Sequence, residues 1–431
     1  MKWTNWSGSV KSEPIAILYP SSEDEIIEIV KDALGTNKKI RMIGSGHSFS
    51  RILETEELLV SLDNMQGIIS HDVESQTATV WAGTKLKKLG DLLFDIGLAQ
   101  ENMGDIKVQS IAGALSTGTH GTGNTLGTLS TQIVEITFVN GLGQLQMVNE
   151  QTDKSLFDAI RLSLGTLGIF TRVKIRLDKC YRLAEVTQKE SLKQCLEQLE
   201  WSITENRNFE FFWFPHTDTV QTKFLNKTEE PFRRVGFLKK VTDLLIENWL
   251  FYALSSMARI LPGFSKQVAK ISAWGISNGK FVDWSHNIYA TSRSVRFNEM
   301  EYNVPIEHFK TALIELKELI EKEGINVHFP IECRFVRKDD IMISPAYNRT
   351  AAYIAVHQFK GMPYEGYFKK SEAIFKKYNG RPHWGKINYL SESDFSKLYP
   401  KWIEFKEIQN VQDPNGLFLN AYLEKLFAND A

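Results

Sequence analysis

Apolar positions recur at helical and then at strand spacing through the first third of the chain. Ser22 with Glu25 predicts a capped helix start, after which Ile26, Ile29, Val30, Ala33 and Leu34 share one helical face and Gly35 ends it. The run Lys39 to Ile43 predicts a strand that delivers the chain into Gly44. Further strands are predicted over 57–62, 77–82, 133–139 and 144–148, then a helix over 155–164 and a strand over 169–177. In that last strand Arg172, Lys174 and Arg176 alternate with Val173, Ile175 and Leu177, so one face is buried and the other wet. Past about residue 180 the texture changes to longer strands, over 209–214, 327–337 and 351–359, set between long helices. The pattern predicts an α+β chain of two domains, 1–179 and 180–431.

Two Gly-rich segments interrupt that pattern. Gly44-Ser45-Gly46-His47-Ser48-Phe49-Ser50 follows a strand directly, and its glycines let the backbone turn tightly and aim N–H groups at an anion. It is not a dinucleotide fingerprint, because Phe49 stands where a third Gly or Ala belongs. Taken alone it is equally an ordinary turn carrying an exposed histidine. Ser110 to Gly123 is the second segment, rich in small residues and hydroxyls, and His120 within it is also readable as a hydrogen-bonded loop histidine. Two such loops in one domain suggest a large phosphorylated cofactor held by main-chain N–H groups of 44–50 and 117–121, since neither loop has a cation between its glycines.

In the second domain Val327, Phe329, Ile331, Cys333 and Phe335 share one strand face, and His328, Glu332 and Arg334 share the other. Glu332 and Arg334 stand about 6.6 Å apart on one side of the strand. They either grip two ends of a polar ligand or form a salt-bridged solvent face. Tyr353, Ala355 and His357 make a similar face on the next strand, and Lys386 follows Gly385, where close approach is sterically open.

Composition narrows the options. The 431 residues are 42% hydrophobic and 24% charged, which excludes disorder and coiled coil, and 51 basic against 52 acidic residues exclude a nucleic-acid partner held by general charge. Three cysteines without CxxC spacing predict a reducing, cytoplasmic setting. No His pair at ligand spacing beside a carboxylate predicts a metal site. The most apolar stretch, 244–261, contains Glu247, Asn248 and Arg259 and ends at Pro262, so no integral membrane span is predicted, with peripheral contact over 236–262 left open.

These pieces together resemble the aldonolactone oxidases of the vanillyl-alcohol oxidase flavoprotein superfamily. The likeness rests on Gly46-His47-Ser48 with Gly44, on Ser110 to Gly123, on Glu332-Cys333-Arg334 followed by Ile343-Ser344-Pro345, on Arg381-Pro382-His383-Trp384-Gly385-Lys386, and on the tail Asp413 to Glu424. Phe212-Trp213-Phe214-Pro215-His216 fits the same family. The resemblance implies an N-terminal FAD-binding domain and a C-terminal cap with a mixed sheet, whose tail returns to the flavin site. It implies FAD bonded covalently to His47 and held by Gly44, Ser45, Gly46, Ser48, Phe49, Ser50, Ser110, Gly113, Thr117, Gly118, Thr119, His120, Gly121 and Ile169. It further implies catalysis by Glu332, Arg334 and Lys386, with Ser110 and His357 contacting substrate. The implied reaction oxidises the hydroxyl next to the carbonyl of a 1,4-lactone (L-gulono-, L-galactono- or D-arabinono-), passing a hydride to flavin N5 and electrons to O2. An alditol oxidase acting on a terminal CH2OH, or a dehydrogenase with another acceptor, is the alternative.

Overall fold

A computed structural model describes residues 2–233, 237–289 and 295–427, with the backbone alone over 237–248. Three layers of sheet carry the molecule. Ala16–Leu18, Leu58–Ser61 and Ile40–Ile43 form a small parallel sheet with Leu58–Ser61 in the middle. The helix Glu23–Gly35 follows its first strand; the Ser22 side chain accepts from the Glu25 N–H, and the Glu25 carboxylate accepts from the Ser21 N–H at 2.8 Å. Ile26, Val30 and Ala33 of that helix are buried, as the helical spacing requires.

A five-stranded antiparallel sheet follows, in the order Leu145–Asn149, Ile133–Val139, Ile169–Arg176, Thr77–Trp81, Ile68–Asp72. Val173 and Ile175 are buried while Arg172 and Lys174 are half-buried and Arg176 exposed, matching the alternation in sequence. The helix Leu86–Asp95, the strand Ile68–Asp72 and the short helix Ile111–Ser116, inside the second Gly-rich segment, are additions to the sequence reading.

The third sheet has eight strands, in the order Gly279–Trp284, Arg182–Ser191, Thr219–Lys227, Asn208–Trp213, Ile331–Val336, Ala351–Phe359, Phe297–Pro305, Arg381–Pro382. Every pairing in it is antiparallel, where the sequence reading expects a mixed sheet. The strand expected over 327–337 starts only at Ile331, because Pro330 has no N–H to give a ladder. His328 is therefore not on the Glu332–Arg334 face; its Nε2 meets Ser255 Oγ at 2.9 Å, under the helix Phe237–Ile260. One face of the big sheet packs on the helices Phe309–Lys322 and Glu365–Lys377, where Phe309 meets Phe335 at 5.2 Å and Tyr302 stacks on Phe375 at 5.1 Å. The other face meets the two Gly-rich loops.

Both loops are tied to this sheet and its following turn. The Phe49 N–H donates to Gly385 O at 2.6 Å and Ser50 Oγ to Trp384 O at 2.7 Å. The Gly123 N–H donates to Phe335 O at 2.6 Å. The tail closes the assembly from the far side: the Ile40 N–H donates to Leu417 O at 2.9 Å, and Asn420 Nδ2 to Glu54 O at 2.7 Å. No described helix is long and apolar enough to cross a membrane. Of the stretch 236–262, residue 236 and the side chains of 237–248 lie outside the described residues.

Candidate active site

Two cavities meet at the junction of loops and sheet. The first, a cleft of about 860 Å³ including space open to solvent, is lined by Gly44 to Ser48, Ser110, Gly113, Thr117 and Ile169. Gly44 lets the chain pass close to Ser110: a Cβ at that position would lie 2.3 Å from Ser110 Oγ, which would have to turn aside. Arg41 reaches the same cleft but spends its guanidinium on carbonyls, Ile52 O at 2.8 Å and Leu164 O at 2.6 Å among them, and burial lowers its pKa to about 9. An anion in this cleft thus meets main-chain N–H groups and hydroxyls before it meets a lysine or arginine. The His47 ring stacks on Trp6 at 5.3 Å, and its Nδ1 is buried with no hydrogen-bond partner among the described residues. Burial, reinforced by the charge of Lys386, lowers the His47 pKa to about 4, so the ring is neutral and keeps a lone pair.

The second cavity, about 600 Å³ by the same measure, shares His47, Ser48, Gln109 and Thr117 with the first. Its floor is the sheet face, and the strand register explains the charges on it. Glu210 pairs across strands with Lys223 on one side and Arg334 on the other, and Arg334 in turn with Tyr353. One step along, Glu332 pairs with Ala355 and Ala355 with Glu301; one further step pairs His357 with Glu299. Alternation puts all these side chains on one face.

Arg334 is the hub. Its Nη2 lies 2.6 Å from Asp105, which comes from the loop before the second Gly-rich segment, and also contacts Glu332, while Nε lies 3.0 Å from Glu210. Burial acts to lower its pKa, but Asp105, Glu332, Glu210 and Glu301 together raise it well above the ordinary value. Glu332 and Arg334 are 5% and 8% exposed, which rules out the solvent-face reading of this pair. Lys386 Nζ sits 2.5 Å from Glu299 Oε2. Burial works to raise the Glu299 pKa, yet Lys386 and His357 bring it well below the ordinary carboxylate range. His120 Nε2 is 3.3 Å from Glu301 while its Nδ1 meets Gly121 O at 2.8 Å, and its ring stacks on Tyr353 at 3.7 Å. Against the cost of burial, His120 and then Lys386 bring the Glu301 pKa down to about 2.

The structure thus gathers Glu332, Arg334 and Lys386 around one cavity, and Gly44 to Ser48, Ser110, Gly113, Thr117 and Ile169 around the other. Several expected contacts are placed differently. Phe49 and Ser50 turn away from the cleft to clasp the 384–385 turn, Phe49 packing against Phe297 at 5.9 Å. Thr119 and His120 border the second cavity, not the first. Gly118 and Gly121 line neither; their missing side chains make room for Leu162 and for Met103 O. Ser110 belongs to the first cleft alone. His357 stands behind Glu299, its Nε2 at 3.5 Å from that carboxylate and its Nδ1 donating to Pro330 O at 3.1 Å, and does not line the second cavity. His120, Glu301 and His383 also place one potential ligand atom each within 4.8 Å of one another, a grouping that spacing in sequence does not reveal.

Sequence reasoning missed Glu299, Glu301, Asp105 and Glu210. Phe297 to Val304 carried a usable signal: carboxylates at Glu299 and Glu301, two apart in a run with Tyr302 and Val304, obey the same rule that singled out Glu332 and Arg334.

The chain matches the family described as D-arabinono-1,4-lactone oxidase over residues 173–426 and that described as FAD binding domain over residues 14–149. An L-gulono-1,4-lactone dehydrogenase of Mycobacterium tuberculosis is 34% identical over 424 residues, 98% of each chain. The L-gulonolactone oxidase of Bos taurus is 32% identical over 99% of this chain and 98% of its own. Among solved structures, a cholesterol oxidase from Brevibacterium sterolicum superposes with a TM-score of 0.80 at 17% identity, over 99% of this chain and 96% of that one. A xylooligosaccharide oxidase from Myceliophthora thermophila gives 0.74 at 15% identity, over 99% and 94%. Those two show the fold that the chain shares with them.

Proposed function

This chain belongs to the aldonolactone oxidase family of FAD-binding oxidoreductases, and from that premise we propose that it oxidises the hydroxyl next to the carbonyl of a sugar-derived 1,4-lactone, with O2 as acceptor. The observation that carries the reading is the meeting of the two cavities at His47, Ser48, Gln109 and Thr117. A cofactor filling the first presents its end to the second, whose walls are ionic. FAD bound there supplies a two-electron acceptor for a hydride leaving the substrate carbon.

The residues fit that group. The Gly44 approach leaves main-chain N–H groups for a pyrophosphate, and the partnerless Nδ1 of a neutral His47 suits a covalent bond to the cofactor. Acid precipitation should leave the flavin in the pellet for the native chain and in the supernatant for His47→Ala. The boundary at 179/180 separates a cofactor half from a cap half, and every strand of the eight-stranded sheet lies beyond it.

In the cap half, negative charge that develops on the reacting oxygen faces the Arg334 guanidinium and the Lys386 ammonium. Lys386, 2.5 Å from Glu299, polarises the hydroxyl, and the hydroxyl's proton passes through Lys386 to the Glu299 carboxylate as the hydride leaves the carbon. Glu332 orients Arg334 and accepts hydrogen bonds from other substrate hydroxyls. A surplus of carboxylates around one arginine suits a neutral, hydroxyl-rich ligand. The mycobacterial relative's name favours a second reading, a dehydrogenase with an acceptor other than O2. The deciding experiment mixes the flavoprotein anaerobically with 1,4-lactones and alditols, then admits air. Bleaching by a lactone and rapid return of colour with H2O2 are expected; bleaching by alditols alone would contradict the substrate, and slow return of colour would contradict O2.

A further inference from the structure

The His383 imidazole borders the second cavity beside Arg334 and Lys386. Its placement is unusually well determined. The strand Arg381–Pro382 pairs at the sheet edge, the His383 N–H donates to Glu301 O at 3.0 Å, and the turn that follows returns the Lys386 N–H to His383 O at 2.9 Å. Trp384 anchors the turn, buried against Phe395 at 4.7 Å with its Nε1 donating to Ile343 O at 2.7 Å.

Within that turn the Gly385 N–H donates to His383 Nδ1 at 3.0 Å. A peptide N–H can only donate, so Nδ1 must offer a lone pair, and a neutral ring then carries its proton on Nε2. Protonating the ring fully would turn Nδ1 into a donor facing a donor. No partner for Nε2 is found among the described residues. The charged groups around the ring are already engaged: Glu301 with His120, and Glu299 with Lys386. Burial, with Lys386 and His120 acting in the same sense and Glu301 and Glu299 against it, holds the His383 pKa near 3.

We propose that His383 is a neutral hydrogen-bond donor to the reacting oxygen of the substrate, a third group beside Arg334 and Lys386, and not the base of the reaction. The assignment rests on the lactone-oxidation reading of the same cavity. The ring keeps its proton throughout: Nε2–H supports the oxygen as negative charge gathers on it, and Nδ1 stays occupied by Gly385. A neutral imidazole suits that task in a site already holding two cations, because it adds a dipole and no further charge to be buried.

Two measurements on the flavin-loaded protein test it. The first is the ring 15N spectrum of histidine-labelled protein, with His383→Gln identifying the signal. A neutral ring protonated at Nε2 and unchanged from pH 5 to 8 is expected; protonation at Nδ1, or titration in that range, overturns the proposal without reference to any substrate. The second is the anaerobic flavin-reduction rate with the best lactone. His383→Phe should fall about 10²–10³-fold, the loss typical of one such donor, at unchanged flavin content. His383→Gln, which retains an N–H, should recover most of it. If the wild type is bleached by a lactone and His383→Phe keeps pace, this assignment alone fails. If the wild type is bleached by no lactone or alditol, the functional reading fails and takes this assignment with it.

Discussion

Arg334 cannot be removed from this site without stranding charge. Asp105, Glu210 and Glu332 all face it in a buried setting, so Arg334→Ala should cost about 3–5 kcal/mol of stability in addition to any catalytic loss. Arg334→Lys keeps the charge but loses the planar fork, and is the cleaner probe; flavin loading should survive while anaerobic reduction slows at least about tenfold. Unchanged reduction in that variant would contradict the role. Glu299→Gln tests the neighbouring pair. With its carboxylate gone the Lys386 ammonium is stripped of the partner at 2.5 Å, and reduction should slow with a pH profile shifted relative to wild type. A profile superposable on wild type would show that Glu299 does not govern Lys386. The meeting of Glu332, Arg334 and Lys386 at one cavity was legible because each sits in a short local pattern. Asp105 and Glu210 were not, since only cross-strand register and a loop from the other half of the chain bring them to Arg334.

At the scale of elements, the glycines of the two loops do different work, and sequence alone could not separate them. Gly44→Val should fill the cofactor cleft and abolish flavin loading while the fold survives, because the added atoms meet the rotatable hydroxyl of Ser110. Gly118 has φ +72°, and its Cβ would lie 2.7 Å from Leu162. Gly118→Val should therefore destabilise the chain, not merely exclude flavin; urea unfolding of the two variants distinguishes the outcomes. The late start of the strand at Ile331 has a pH consequence. His328, released from the charged face by Pro330, is buried with Ser255, and burial lowers its pKa from 6.5 to about 4. Acid charges the histidine of the unfolded chain first, so this group's contribution is fully present above pH 6.5 and is lost as pH falls toward 4. The stability cost of His328→Gln should accordingly be smaller at pH 5 than at pH 7.5, by about 2 kcal/mol. A cost independent of pH would contradict the buried neutral ring.

For the whole molecule, the strand plan was readable where periodicity is local: the strands at 133–139 and 351–359 stand as the pattern predicts. The antiparallel course of the big sheet was not, because pairings such as Glu210 with Arg334 join distant segments; the docking of the tail was legible only through the family resemblance, since its contact with Arg41 spans 377 residues. The tail matters to the site through Asp413, whose carboxylate accepts from the Leu417 and Phe418 N–H groups at 2.8 Å each and so holds the turn that meets Arg41 at the cofactor cleft. Asp413→Ala leaves two buried donors without an acceptor and should cost about 1–3 kcal/mol, read by urea unfolding, with weaker flavin retention. No change in either would remove the tail from the account. The central claim is that the sheet face of the cap performs the oxidation above a cofactor held by the N-terminal loops. Its most direct test is the single-turnover rate of anaerobic flavin reduction by a 1,4-lactone in Lys386→Met beside the wild type, at matched flavin content. The account expects full flavin loading and a rate lowered about a hundredfold or more; a variant that loads flavin and is reduced at the wild-type rate would contradict it.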